Sequence, residues 1–231
     1  MTRPKSTIAD QLADAQKAIN NAQADPEIKA LLAAYGYNDQ KLAEGSQLAE
    51  AVEAAILART NALGAQTAAS RAFADAQAEA FKAYQTLSKV ARAAAAPATL
   101  RGLGLDGPMP RRASEFQKAA LKLFNGDSLA ALAEYGYDEA RLTAERAKIS
   151  AFQAASEAQD VAKGALQQTT AGQDAAIQAL DKWTAQYIKI AKVALSGTQL
   201  SEKLGVIART GPTAAQRAAS KKKTAPVTPI S

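Results

Sequence analysis

The side chains available for chemistry in this chain are carboxylates, amines, guanidinium groups, phenols and hydroxyls. It contains no cysteine and no histidine. Thiolate catalysis, disulfides, zinc–sulfur sites and the Ser-His-Asp triad are therefore excluded, and so are the Glu-x-x-His ligands of di-iron bundles. Glu44, Glu50, Glu53, Glu139, Glu145 and Asp160 are candidate ligands for a hard cation such as Mg²⁺ or Mn²⁺. The simpler reading makes them solvated helix faces, some paired with Lys or Arg one turn away. The one Ser-x-x-Lys, Ser220–Lys223, lies in a polar tail and reads as chance. No Walker loop, GxSxG or HExxH occurs. These residues predict no enzyme, no cofactor and no metal site.

Trp183, Tyr187, Phe73, Phe81 and Tyr84 offer a second kind of chemistry, base stacking, with Lys182 and Lys189 beside the first two. A core role is the stronger reading, because all five fall late in long helical runs. Charge points to the other end of the chain. The formal net charge is +6, and residues 203–231 alone carry Lys203, Arg209, Arg217, Lys221, Lys222 and Lys223 with no acid. The rest is neutral overall, so the basicity belongs to the tail, where Arg217, Lys221, Lys222 and Lys223 are candidate polyanion contacts.

The elements that would position any such group turn on a motif found twice, Tyr35-Gly36-Tyr37-Asn38 and Tyr135-Gly136-Tyr137-Asp138. Each follows a short apolar segment, IKALLAAY or SLAALAEY. The glycine suits a left-handed helix stop, pairing Tyr37 with Leu32 and Tyr137 with Leu132 in a Schellman motif. Asn38 and Asp138 then cap the next helix, with basic Lys41 and Arg141 at N3 ruling out a capping box. Two tyrosines around a glycine also allow a ligand-binding corner, but each position already has a structural role.

In chain order, Thr7 caps a helix near 8–22, and Asp25-Pro26 starts a second one. From 38 to 96 no proline interrupts a run carrying Leu42, Val52, Ile56, Leu63, Phe73, Tyr84, Leu87 and Val90 at helical spacing. Pro97 stops it, and LRGLGLDGPMPRR reads as a connection. A helix over 113–124, a turn at Asn125-Gly126 and a short helix from Asp127 or Ser128 follow. A second proline-free run spans 138–196.

The two runs match at an offset of 100. Leu42 corresponds to Leu142, Gly64-Ala65 to Gly164-Ala165, and Lys89-Val90-Ala91-Arg92 to Lys189-Ile190-Ala191-Lys192. Leu103-Gly104 corresponds to Leu204-Gly205 after a one-residue slip. This predicts a duplication, with a first repeat over 7–105, a second over 106–211 and a basic disordered tail over 212–231. The elements YGYxxxxL, AKGALQQTTAGQDAAIQALDKW and IAKVAL…LGV resemble a group of bacterial alanine-rich tandem-repeat helical proteins. That resemblance implies a duplicated helical fold and brings no activity, cofactor or catalytic residue with it. The chain departs from the group at AAAAPATL, where the group tends to be charged.

The fold class expected is all-α, an internally duplicated long-helix bundle or antiparallel rod with short helices packing at the ends. Either each long run breaks near Gly64 and Gly164 into a hairpin, or each is one helix. One glycine costs a helix only about 1 kcal/mol, and the absence of proline or Asn-Gly there favours continuity. Forty-eight per cent hydrophobic residues but only 5% aromatics predict closely approaching alanine-rich helices, coiled-coil-like, with a thin core. The start MTRPKSTIADQL lacks an apolar signal region and no run has membrane-spanning length, so a cytoplasmic location is expected. The function expected is structural or scaffolding, through self-association into a homo-oligomer or binding of another protein. Two alternatives stand beside it: association with nucleic acid through the tail, and amphipathic coating of a surface.

Overall fold

A computed structural model describes residues 7–110, 112–124, 127–196, 198 and 200–205. The described residues form helices α1 (Ile8–Ala24), α2 (Pro26–Ala33), α3 (Asp39–Ala94), α4 (Pro97–Gly102), α5 (Ala113–Phe124), α6 (Glu139–Ala194) and α7 (Leu200–Lys203). A 3₁₀ helix covers Asp127–Tyr135. No strand occurs among them.

Local chemistry explains the boundaries. The Thr7 hydroxyl accepts from Asp10 N at 3.1 Å and the Asp10 carboxylate accepts from Thr7 N at 3.0 Å, a capping box that opens α1. Asp25 Oδ1 accepts from the amides of Glu27 and Ile28, and Pro26 occupies the first turn of α2, where its missing N–H costs nothing. Both Tyr-Gly-Tyr junctions carry the Schellman pair. Tyr37 N donates to Leu32 O at 3.1 Å and Gly36 N to Ala33 O at 3.0 Å; Tyr137 N donates to Leu132 O at 3.2 Å and Gly136 N to Ala133 O at 3.1 Å. The glycines have φ +88° and +77°, a region any side chain would strain. Asn38 and Asp138 then accept from Lys41 N and Arg141 N at 3.0 and 2.8 Å.

α3 and α6 are each 56 residues long and continuous, so the hairpin alternative is overturned. The stretches around Gly64 and Gly164 stay helical, and their threonine hydroxyls are satisfied within the helix itself. Thr67 Oγ1 donates to Leu63 O, Thr169 Oγ1 to Ala165 O and Thr170 Oγ1 to Leu166 O, at 2.9, 3.0 and 2.8 Å. The short α-helix expected from 127 winds as a 3₁₀ helix instead. Its start lacks the proline that opens α2. The segment after Pro97, expected to be an irregular connection, opens with α4, and Pro97 sits in its first turn.

The chain divides into two compact units, residues 1–57 with 171–231, and residues 58–170. In the first unit, α3 and α6 run antiparallel beneath α1, α2 and α7. Its core joins Ile19, Ile28, Leu32, Tyr37 and Leu42 to Trp183, Tyr187, Leu195 and Leu204. The rings of Trp183 and Tyr187 stack at 5.1 Å, and Tyr37 packs on both. Trp183 can lie there because position 45 is glycine; a Cβ on Gly45 would run into the indole. In the second unit, α3 and α6 are again antiparallel. Phe116 of α5 contacts the rings of Phe81, Tyr84 and Phe152, and Phe73 meets Phe152 at 5.4 Å. Leu103, Leu132, Tyr137, Leu142 and Ile149 complete that core.

Candidate interaction face

The buried sides of α3 and α6 leave an opposite side that the sequence spaces just as regularly. In the second unit, Ala144, Ala147, Ala151, Ala154, Ala158, Val161 and Ala165 follow one another at alternating steps of three and four along α6, and all are exposed. Ala58, Asn61, Ala65, Ala68 and Ala72 do the same on α3. This is the 3.5-residue period of a coiled-coil seam, built from small residues and turned to solvent. Val161, in the middle of the α6 seam, is 73% exposed. Leu63, which its spacing assigned to the core, is also exposed. In the first unit the pattern continues on α3 as Ala51 and Ala54 and on α6 as Gly172, Ala175 and Ala179, again exposed.

Under the seam the contact between α3 and α6 is polar. Gln159 Nε2 donates to Ser70 Oγ at 3.3 Å, and Gln66 Nε2 donates to the same hydroxyl at 3.0 Å. Satisfied polar groups at this depth fix the register of a thin, alanine-rich interface.

The carboxylates are spread over the surface, and no group of three acids converges among the described residues. Glu44 pairs with Lys41, Glu139 with Arg146, Glu145 with Lys148 and Asp160 with Lys163. Glu53 accepts from Gln16 at 2.7 Å, while Glu50 borders a small cleft of about 180 Å³ with Gln16, Asn20 and Ser46. The stacking-platform reading of Trp183 and Tyr187 meets a plain obstacle: they are 5% and 0% exposed. Tyr187 donates its phenolic hydrogen to Ala18 O at 3.2 Å, and burial pushes its pKa well above the usual tyrosine range.

At each junction the two tyrosines part company. Tyr37 and Tyr137 are core residues, whereas Tyr35 and Tyr135 are 51% and 53% exposed, so no two-ring corner forms. At the second junction Arg141 lies 4.1 Å over the Tyr137 ring and donates to Gly136 O. The first junction borders an open groove of about 590 Å³ lined by Pro26, Ala30, Ala33 and the ion pair Lys29–Asp39. Of the basic C-terminal residues, Lys203 is described. Its amine meets Asp25 Oδ2 at 3.0 Å and, with the Ile28 amide, holds that carboxyl below the ordinary range. Ser220, Arg217, Lys221, Lys222 and Lys223 lie outside the described residues. No described helix is long and apolar enough to cross a membrane.

Comparisons with known protein families, with curated proteins and with solved structures found no match. The signal that finds the seam is a run of alanines seven apart, at 144, 151, 158 and 165. A search for bulky apolar residues passes over it.

Proposed function

We propose that this chain is a non-enzymatic structural or scaffolding protein acting through helical self-association or partner binding, with the exposed seams of α3 and α6 as contact faces. The observation that carries this reading is the heptad spacing of small residues on the solvent side of α6, with Val161 standing clear among them. Small side chains let helix axes approach to the short end of the usual 8–10 Å range. That the α3 and α6 seams occupy matching positions, 58–72 and 158–172, supports a duplicated module, as do two 56-residue helices offset by 100. It is also the relation expected of the bacterial tandem-repeat group that the sequence resembles.

The test is sedimentation of the full chain beside Ala158→Glu/Ala165→Glu. Exposed helix positions tolerate such changes within about 0.5 kcal/mol, so folding is expected to persist. The native chain should associate with rising concentration, and the double variant should associate measurably less. A native chain that stays monomeric at every concentration and captures no partner sinks the proposal.

A second reading rests on charge segregation, since residues 203–231 account for the whole net charge. It predicts a salt-sensitive gel shift with nucleic acid that disappears when residues 213–231 are deleted. A shift that survives the deletion excludes the tail as the contact.

A further inference from the structure

We propose that the partner of this chain is a second copy of itself, held by exchange of sequence halves about a hinge at residues 106–110. The inference rests on the self-association reading and adds its partner and a second contact: an exchanged dimer is held through its cores, so it persists in Ala158→Glu/Ala165→Glu. Neither half of the chain owns a core. In the first unit Ile19, Leu32 and Leu42 from the first half close over Trp183, Tyr187 and Leu204 from the second. In the second unit Leu87 and Leu103 from the first half meet Phe116, Leu132 and Phe152 from the second. A second copy offers the same complement, atom for atom. Exchange therefore keeps every buried contact and alters only the course of the hinge.

The hinge is suited to this. Asp106-Gly107-Pro108-Met109-Pro110 forms no regular element, and residues 106–108 are exposed. Each proline fixes its own φ and biases the residue before it towards extended backbone. Within the second unit the segment doubles back along α3. Arg92 Nη2 donates to Leu105 O and Gly107 O at 3.4 and 3.1 Å, and Gln85 Nε2 reaches Met109 Sδ at 3.9 Å. Residues 92 and 85 are about 10 Å apart on the helix.

The experiment uses the full chain, which has no native cysteine. Ser70→Cys and Gln159→Cys place one thiol in each half at a contact inside the second unit. A short bismaleimide then joins either one chain to itself or two chains together. With the hinge intact and the chain refolded at high concentration, the expected result is a mass of twice 24.0 kDa by light scattering and a covalent dimer on a denaturing gel. A folded monomer with only intrachain links overturns the proposal. A dimer with only intrachain links also overturns exchange, while leaving side-by-side association standing. If that cysteine pair costs the chain its helical circular dichroism, Asn21→Cys with Lys203→Cys, a contact between the halves inside the first unit, gives the same reading: interchain links support exchange, and intrachain links alone refute it.

Discussion

Single residues set the tolerances of this fold, and Gly45 is the sharpest case. Its absent side chain is the seat of the Trp183 indole. Gly45→Ala should cost about 1–3 kcal/mol by overpacking, despite the better helix propensity of alanine. Trp183→Leu should relieve most of that cost in the double variant, and urea denaturation of the four forms measures the coupling. Additive single effects would show that the glycine has no part in seating the ring. At the residue 100 positions on, Glu145 stands where Gly45 does, and Ala83 where Trp183 does. Tyr187 gives a prediction in pH. Its folded pKa lies above the unfolded value of about 10, so the folded state holds its proton longer. Stability is complete below about pH 10 and falls as pH rises further, because the unfolded chain ionises first. Tyr37, Tyr84 and Tyr137, raised by burial, act in the same direction. Alkaline denaturation of Tyr187→Phe should show a shallower slope above that pH. An unchanged slope would assign the effect to other groups.

At the scale of elements, the boundaries were written in the sequence wherever a backbone requirement selects the residue. Gly36, Gly136, Asp25-Pro26 and Thr7 each solve a local hydrogen-bonding problem, and the helices start and stop at them. Continuity through 64 and 164 was harder to read. Thr67, Thr169 and Thr170 bond back to their own helix, yet in sequence such threonines look the same as turn formers. The seam was harder still, because alanine serves equally as core and as surface. Only the structure shows that Leu63 and Val161 face out while Gln159 and Ser70 face in. Gly64→Ala separates the two architectures in solution. A Cβ there meets nothing within 4 Å, so in a continuous helix the change should stabilise by about 0.5–1 kcal/mol. Thermal denaturation with unchanged helical circular dichroism is the check. Destabilisation would point to a turn at this position.

For the whole molecule, the repeats expected from the sequence and the compact units of the structure cut the chain in different places. The expected repeats would divide it near 105, whereas the units divide both long helices, near 57 and near 170. The C-terminal helix shows the consequence. Leu204 is fully buried among residues of the first unit, Asn21 donates its amide hydrogen to Lys203 O at 2.9 Å, and Lys203 reaches Asp25. Leu204 therefore closes a unit that begins at α1, nearly two hundred residues earlier in the chain. Leu204→Ala removes a large part of a buried side chain and should cost about 2–5 kcal/mol locally. Amide hydrogen exchange reads where that loss is felt. Each hydrophobic cluster lies wholly inside one unit, so faster exchange is expected at 8–57 and 171–205, with 58–170 little changed. If each repeat instead folded as its own body, the acceleration would cover 106–205 and spare α1. Residues 116–152 and 12–56 thus serve as opposite reporters. Protection lost at Phe116 and kept at Ile19 would mean that the chain is partitioned by its duplication and not by its packing.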